Sequence, residues 1–162
     1  MKNILLFVSI FILSSCGSKK IVDSQKKFPT PTGYVNDFEK TLTKTQEKAL
    51  SKTIVEFEKR TTNQIAIVTF DSMYSYTDIK DFGTDLGNEW GIGTEEMDNG
   101  LLILVSQKLK QARISTGLGT EKILTDSICS EVIKTYMLPR FKEDKMYEGI
   151  KAGMEALIKQ WK

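Results

Sequence analysis

Two apolar runs set about a helix's length apart constrain this chain more than anything else in it. Gln64 to Phe70 reads Q-I-A-I-V-T-F, and Gly100 to Val105 reads G-L-L-I-L-V. Both are too continuous for a strand with one wet face, so each belongs inside a sheet covered on both sides. Between them Ile79, Phe82, Leu86 and Trp90 recur three and four residues apart, the stripe of an amphipathic helix, and Gly91 stops it. Ser75 or Thr77 is its expected cap. Strand, helix and strand over this length predict a right-handed unit with parallel strands, around which the other elements must be arranged.

Those elements follow from the same signals. Thr43 with Gln46 forms a capping box, and Leu50, Ile54 and Phe57 continue an apolar face, predicting a helix over about Lys44 to Arg60. Tyr34-Val35 begins a short edge strand. Ala112 to Thr116 is strand-like and follows a short polar stretch, Gln107 to Lys110, so it should return antiparallel beside Gly100 to Val105. Thr125 caps a helix carrying Ile128, Val132, Ile133 and Tyr136 that Pro139 should end. Asp144 is the expected cap of a last helix with Ile150, Met154, Leu157, Ile158 and Trp161 inward. The expected class is α/β: an α/β/α sandwich with a small mixed sheet of three to four strands and helices on both faces.

The N-terminus carries a different message. Lys2 precedes an apolar run from Ile4 to Leu13, the length of a signal h-region and too short to span a bilayer. Leu13-Ser14-Ser15-Cys16 then has the lipobox pattern of a branched apolar residue, two small residues and a cysteine. Residues 1–15 are expected to be a lipoprotein signal peptide, with Cys16 diacylated and cleavage just before it. Residues 16–33, with their lysines, Pro29, Pro31 and Gly33, read as a flexible spacer, and 34–162 as the domain. The expected partner of the N-terminus is a membrane, held through a lipid anchor facing an extracytoplasmic space. Gly17 stands where an inner-membrane retention aspartate would, which favours the periplasmic face of an outer membrane in a cell that has one.

Composition excludes several functions. There is no histidine, so Ser-His-Asp and Cys-His nucleophiles and His-ligated metals are impossible. A formal net charge of +2 without a basic stripe argues against a nucleic-acid partner. Gly117-x-Gly119 lacks the third glycine of a dinucleotide fingerprint, since Lys122 occupies that place, so no nucleotide cofactor is expected. Cys129 has no partner if Cys16 is lipidated, lacks an arginine at phosphatase-loop spacing (Thr135 is there), and reads as core.

What remains is carboxylate chemistry. Phe70-Asp71 ends a strand, Glu95, Glu96, Asp98 and Asn99 precede one, and Gly117 to Glu121 leads from one toward Leu124-Thr125-Asp126. Loop carboxylates flanked by glycines suit a hard, oxygen-seeking cation such as Ca²⁺. The architectural alternative stands beside it: Asp126 as a helix-start residue, Asp98-Asn99-Gly100 as a turn, and glycines present for their backbone freedom. An EF-hand loop is not the answer, because Met97 falls on a ligand position and Ser106 where the bidentate glutamate belongs.

Tyr34-Val35-Asn36-Asp37, Trp90-Gly91-Ile92-Gly93, Asp98-Asn99-Gly100-Leu101-Leu102, Arg113-Ile114 with Gly117, Glu121 with Leu124-Thr125-Asp126, and Pro139-x-Phe141 occur in the order and spacing of a known family. Together they resemble the TPM domain, named for a thylakoid-lumen phosphatase, a photosystem II repair protein and a receptor-accessory membrane protein. The resemblance runs from roughly Val35 to Lys159. It departs at Thr120, where the family usually has leucine, and in that no further membrane helix is expected after the domain. It implies an α/β/α sandwich at a membrane with a divalent-cation site, Ca²⁺ or possibly Mg²⁺, whose ligand candidates are Asp37, Asp98 and Asp126, then Glu121 and Asn99. The function it implies is an accessory or maintenance factor with a membrane-protein partner; the alternative is a metal-assisted acid phosphatase acting on phosphoesters.

Overall fold

The computed structural model describes residues 28–161. The signal segment and the lipidation site at Cys16 lie outside the described residues. Four strands, β1 (Val35–Asp37), β2 (Gln64–Thr69), β3 (Gly100–Ser106) and β4 (Gln111–Thr116), form one sheet in that order. The first three are parallel and β4 returns antiparallel to β3. β3 is the pivot, since Leu101 to Val105 are each at most 2% exposed. That burial on both faces is what its uninterrupted apolar run dictates.

Helices cover both faces. α1 (Lys44–Thr61) has both bonds of the Thr43/Gln46 capping box and buries Leu50, Ile54 and Phe57. It shares one core with α4 (Asp126–Val132) and α6 (Met146–Gln160), built on Ile65, Ile67, Leu101, Ile103 and Ile114. α2 (Ile79–Glu89) lies on the opposite face, packing Phe82 and Leu86 on Ala66, Val68, Leu102 and Leu104. Each such buried side chain stabilises by about 1.5–3 kcal/mol. β1, β2 and β3 stand side by side in chain order while α1 and α2 cover opposite faces. The two crossovers therefore have opposite hands, and one departs from the right-handed rule.

Four local expectations change. Asp78, rather than Ser75 or Thr77, caps α2 by accepting the Lys80 N–H. The helix after Thr125 does not end before Pro139. It widens into a π turn (Ile133–Met137), in which Leu138 N–H donates to Ile133 O, and continues as α5 (Leu138–Phe141) with Pro139 in the first turn. The widened turn removes the clash and the missing donor that proline brings to an α-helix interior. Asp144 does not cap α6; it adopts a left-handed φ of 57°, and Lys145 precedes the helix without a side-chain cap bond.

The fourth concerns the spacer, whose last residues lie on the domain. Phe28 is only 5% exposed, with ring centroids 5.8 Å from both Tyr76 and Phe82, and Trp90 Nε1 donates to Pro29 O at 3.0 Å. A lone apolar residue among lysines and prolines has no periodicity to betray burial. Phe28→Ala should cost about 3 kcal/mol or more, as core phenylalanine truncations do. A denaturant melt checks this, and a change within about 0.5 kcal/mol would mark residue 28 as surface after all.

Candidate functional site

The antiparallel return of β4 sets which loops meet. The carboxyl ends of β1, β2 and β3 share one end of the sheet, whereas the start of β3 and the finish of β4 share the other. The two ends are separated by roughly 17–20 Å, the length of a six-residue strand. The candidate residues divide between them.

Asp37 stands at the first end. Its carboxylate accepts from Thr41 N–H (3.1 Å), Thr41 Oγ1 (3.2 Å), Leu42 N–H (2.8 Å) and Thr69 Oγ1 (2.5 Å). Four donors use the roughly four lone-pair sites of a carboxylate, so in this arrangement Asp37 holds the turn into α1. Its neighbour Glu39 acts likewise, accepting from Ser106 Oγ and from the Gln107 and Lys108 N–H groups to fix the β3–β4 hairpin. Sequence reading missed Glu39, which nothing in its local pattern marks.

The other four candidates gather at the second end. Gly117 N–H donates to Gly100 O at 2.9 Å, and Thr120 N–H donates to Asp98 O at 3.2 Å. The loops approach so closely that a Cβ on Gly119 would fall 1.8 Å from Met97 O, and one on Gly117 would fall 2.3 Å from Asp98 O. Only glycine permits this contact. Asp98 has φ of 48°, a left-handed conformation that Asp tolerates better than most residues. Its main chain is fixed on both sides while its side chain stays exposed.

Asn99 is buried and fully engaged. Its Oδ1 accepts from Thr94 N–H (3.0 Å), and Nδ2 donates to Thr62 O (2.8 Å), tying the loop to the end of α1. Glu121 ends α3 (Leu118–Glu121), a one-turn helix that the sequence did not suggest. Asp126 opens α4 beside its cap Thr125 and faces Arg113 Nη2 at 3.3 Å. With Asp126 63% exposed that ion pair adds little stability. Behind these groups lies the buried Cys129 thiol, pushed up to about 11 by burial, then by the negative fields of Asp126 and Glu121 against the opposing Arg113.

The donors at this end are hard oxygens, which fits Ca²⁺ or Mg²⁺ chemically. Among the described residues, however, no three acidic or thiol side chains stand close enough to hold one ion together. A cation here would draw on one or two carboxylates with loop carbonyls and water. Met97 and Leu118, exposed on the same loops, also escaped sequence reading as functional candidates.

Fold and loops together define an α/β/α sandwich with a mixed four-stranded sheet and an acidic, glycine-closed tip. The chain belongs to the TPM domain family, which matches residues 35–160. No curated protein matches it. Among solved structures it resembles the N-terminal domain of a protein from P. gingivalis, with 29% identity over 79% of this chain and 81% of that one, at a TM-score of 0.72. The BA42 protein of the psychrophilic bacterium Bizionia argentinensis shares 27% identity over 77% and 88% of the two chains, with a TM-score of 0.61. The N-terminal domain of the cg2496 protein from Corynebacterium glutamicum shares the fold at 14% identity, covering 83% and 86%, with a TM-score of 0.63.

The loop junction yields a paired test. Gly119→Ala should destabilise the domain by about 1–3 kcal/mol, the cost of overpacking, because the obstructing atom is backbone. Gly87→Ala, inside α2 where a Cβ would meet only Leu102 at 3.9 Å, should stabilise it by about 0.5–1 kcal/mol. Urea melts of the two variants should move in opposite directions, and shifts of the same sign would refute the close approach.

Proposed function

We propose that this TPM domain is tethered by lipid at Cys16 to the extracytoplasmic face of a membrane. There it binds a divalent cation, Ca²⁺ in the first instance, at its acidic tip and serves as an accessory or maintenance factor for membrane proteins. The lipobox pattern supports the anchor, and membership of the family supports the setting. The observation that carries the cation reading is the junction itself. Glycine-permitted contact holds Asp98 and Glu121 at one tip, both exposed and neither in an ion pair among the described residues. Asp126 stands nearby on α4, in a weak pair that a cation would displace. Asp37, at the far end with its lone pairs engaged, is not assigned to this site, and Asn99 shapes the loop rather than facing an ion.

A ligand that binds only the folded state stabilises it by about 2.7 kcal/mol at a hundredfold excess over Kd. For a domain of this size that raises Tm by roughly 5–10 °C. Saturating Ca²⁺ should produce such a rise for the full chain in a non-ionic detergent. Asp98→Asn and Glu121→Gln should largely abolish it. Metal-free Asp98→Asn should be at least as stable as wild type, since Asn also accepts a left-handed φ. A Tm unmoved by Ca²⁺ in the wild-type chain would end the cation reading.

The anchor has its own measurement. Metabolic labelling with a radioactive fatty acid should mark the wild-type chain and leave Cys16→Ser unlabelled, unprocessed and altered in fractionation. Label retained in the variant would show that Cys16 is not the attachment point.

A further inference from the structure

Leu118 is 72% exposed, more than any other large apolar side chain among the described residues. Met97, at 46%, stands on the facing loop, whose carbonyl lies against Gly119, and Ile123, at 44%, follows one turn further on. Isolated apolar residues on a surface need no explanation, but a group on one tip marks a contact surface. Its surroundings are uneven in charge. Glu95, Glu96, Asp98 and Glu121 are all exposed there, and among the described residues none joins an ion pair, whereas Glu47, Glu143 and Glu155 all pair with lysines. Lys122 is the one cation in the run from Leu118 to Asp126. Residues 28–161 carry 17 Lys and Arg against 20 Asp and Glu, so the described domain is mildly acidic as a whole and these four unpaired carboxylates are a concentrated part of that surplus.

We propose that the tip docks a cationic segment of a partner protein, one in which Lys or Arg flanks a Leu, Phe or Trp. Apolar side chains standing proud of the loops supply the contact, and the uncompensated carboxylates select the sign of the partner and speed its approach. The same carboxylates repel an anionic lipid surface when no cation is bound. The inference rests on the accessory-factor reading but not on Ca²⁺, which would compete for the same carboxylates.

The test uses the full chain in non-ionic detergent with chelator present. Fluorescence anisotropy follows a labelled peptide of repeating Lys-Leu-Lys-Trp, and a twin with Glu in place of every Lys. The cationic peptide should bind and the acidic twin should not. Leu118→Ser and the pair Glu95→Gln, Glu96→Gln should each weaken binding on the order of tenfold, as interface anchors and steering charges do. All three positions are exposed, and unchanged melts confirm that the variants fold. Equal binding of the two peptides, or variants that bind like wild type, would overturn the proposal. So would absent peptide binding with Ca²⁺-dependent binding to phosphatidylglycerol vesicles that Leu118→Ser removes, since the tip would then be a lipid-docking surface. Peptide binding in a chain whose Tm ignores Ca²⁺ would remove the cation reading and keep this one; the reverse pattern would remove this one alone.

Discussion

The bond from Gly117 N–H to Gly100 O is the closure on which the site end of the molecule depends. It extends the β3–β4 ladder one residue past the strands and delivers the chain leaving β4 directly onto the loop entering β3. Without it, residues 94–99 and 117–121 would be two independent loops, each free to move. With it they become one unit, locked by Thr120 on Asp98 O and by Asn99 on Thr94 and Thr62. The glycines are there because two backbones occupy space that a Cβ would need.

Much of this was legible in the sequence, and for identifiable reasons. α1 has a capping box and an apolar stripe that agree, and β2 and β3 have runs that nothing but a doubly covered strand explains. Signals of that kind are local, so they survive any tertiary arrangement. Phe28 was not legible, because its burial depends on Tyr76 and Phe82, far along the chain. The π turn was hidden for a related reason. Pro139 is a strong stop signal for an α-helix, but a single widened turn before it lets the helix path continue into α5.

The candidate site was half legible. The acidic loops and their glycines stand out as residue types, but a carboxylate's role depends on who donates to it. Asp37 and Glu39 are saturated by N–H and hydroxyl donors, while Asp98 and Glu121 are left to solvent, and composition cannot distinguish the two pairs. The antiparallel direction of β4 was itself predictable from the short hairpin. It follows that Gly117 to Glu121 had to return to the start of β3, opposite Asp37. Grouping all five candidates into one cleft ignored that consequence of the topology.

The tip also shows how the domain separates stability from exposure. A left-handed aspartate and bare carboxylates on neighbouring loops each work against the fold, typically by about a kilocalorie or more for backbone strain of this kind. They persist because the ladder, the buried Asn99 clamp and the Thr120 bond over-determine the backbone, so the side chains need contribute nothing to holding it. At the opposite end the carboxylates of Asp37 and Glu39 are consumed in holding turns, and the exposed Asp71 faces Lys108 Nζ at 3.6 Å. A protein that invested every acidic group in its own turns would have no face to present. Here the rigid backbone of one end leaves Asp98, Glu121, Met97 and Leu118 exposed, which is why the cation proposal and the docking proposal share the carboxylates of Asp98 and Glu121 while only the second draws on the apolar side chains.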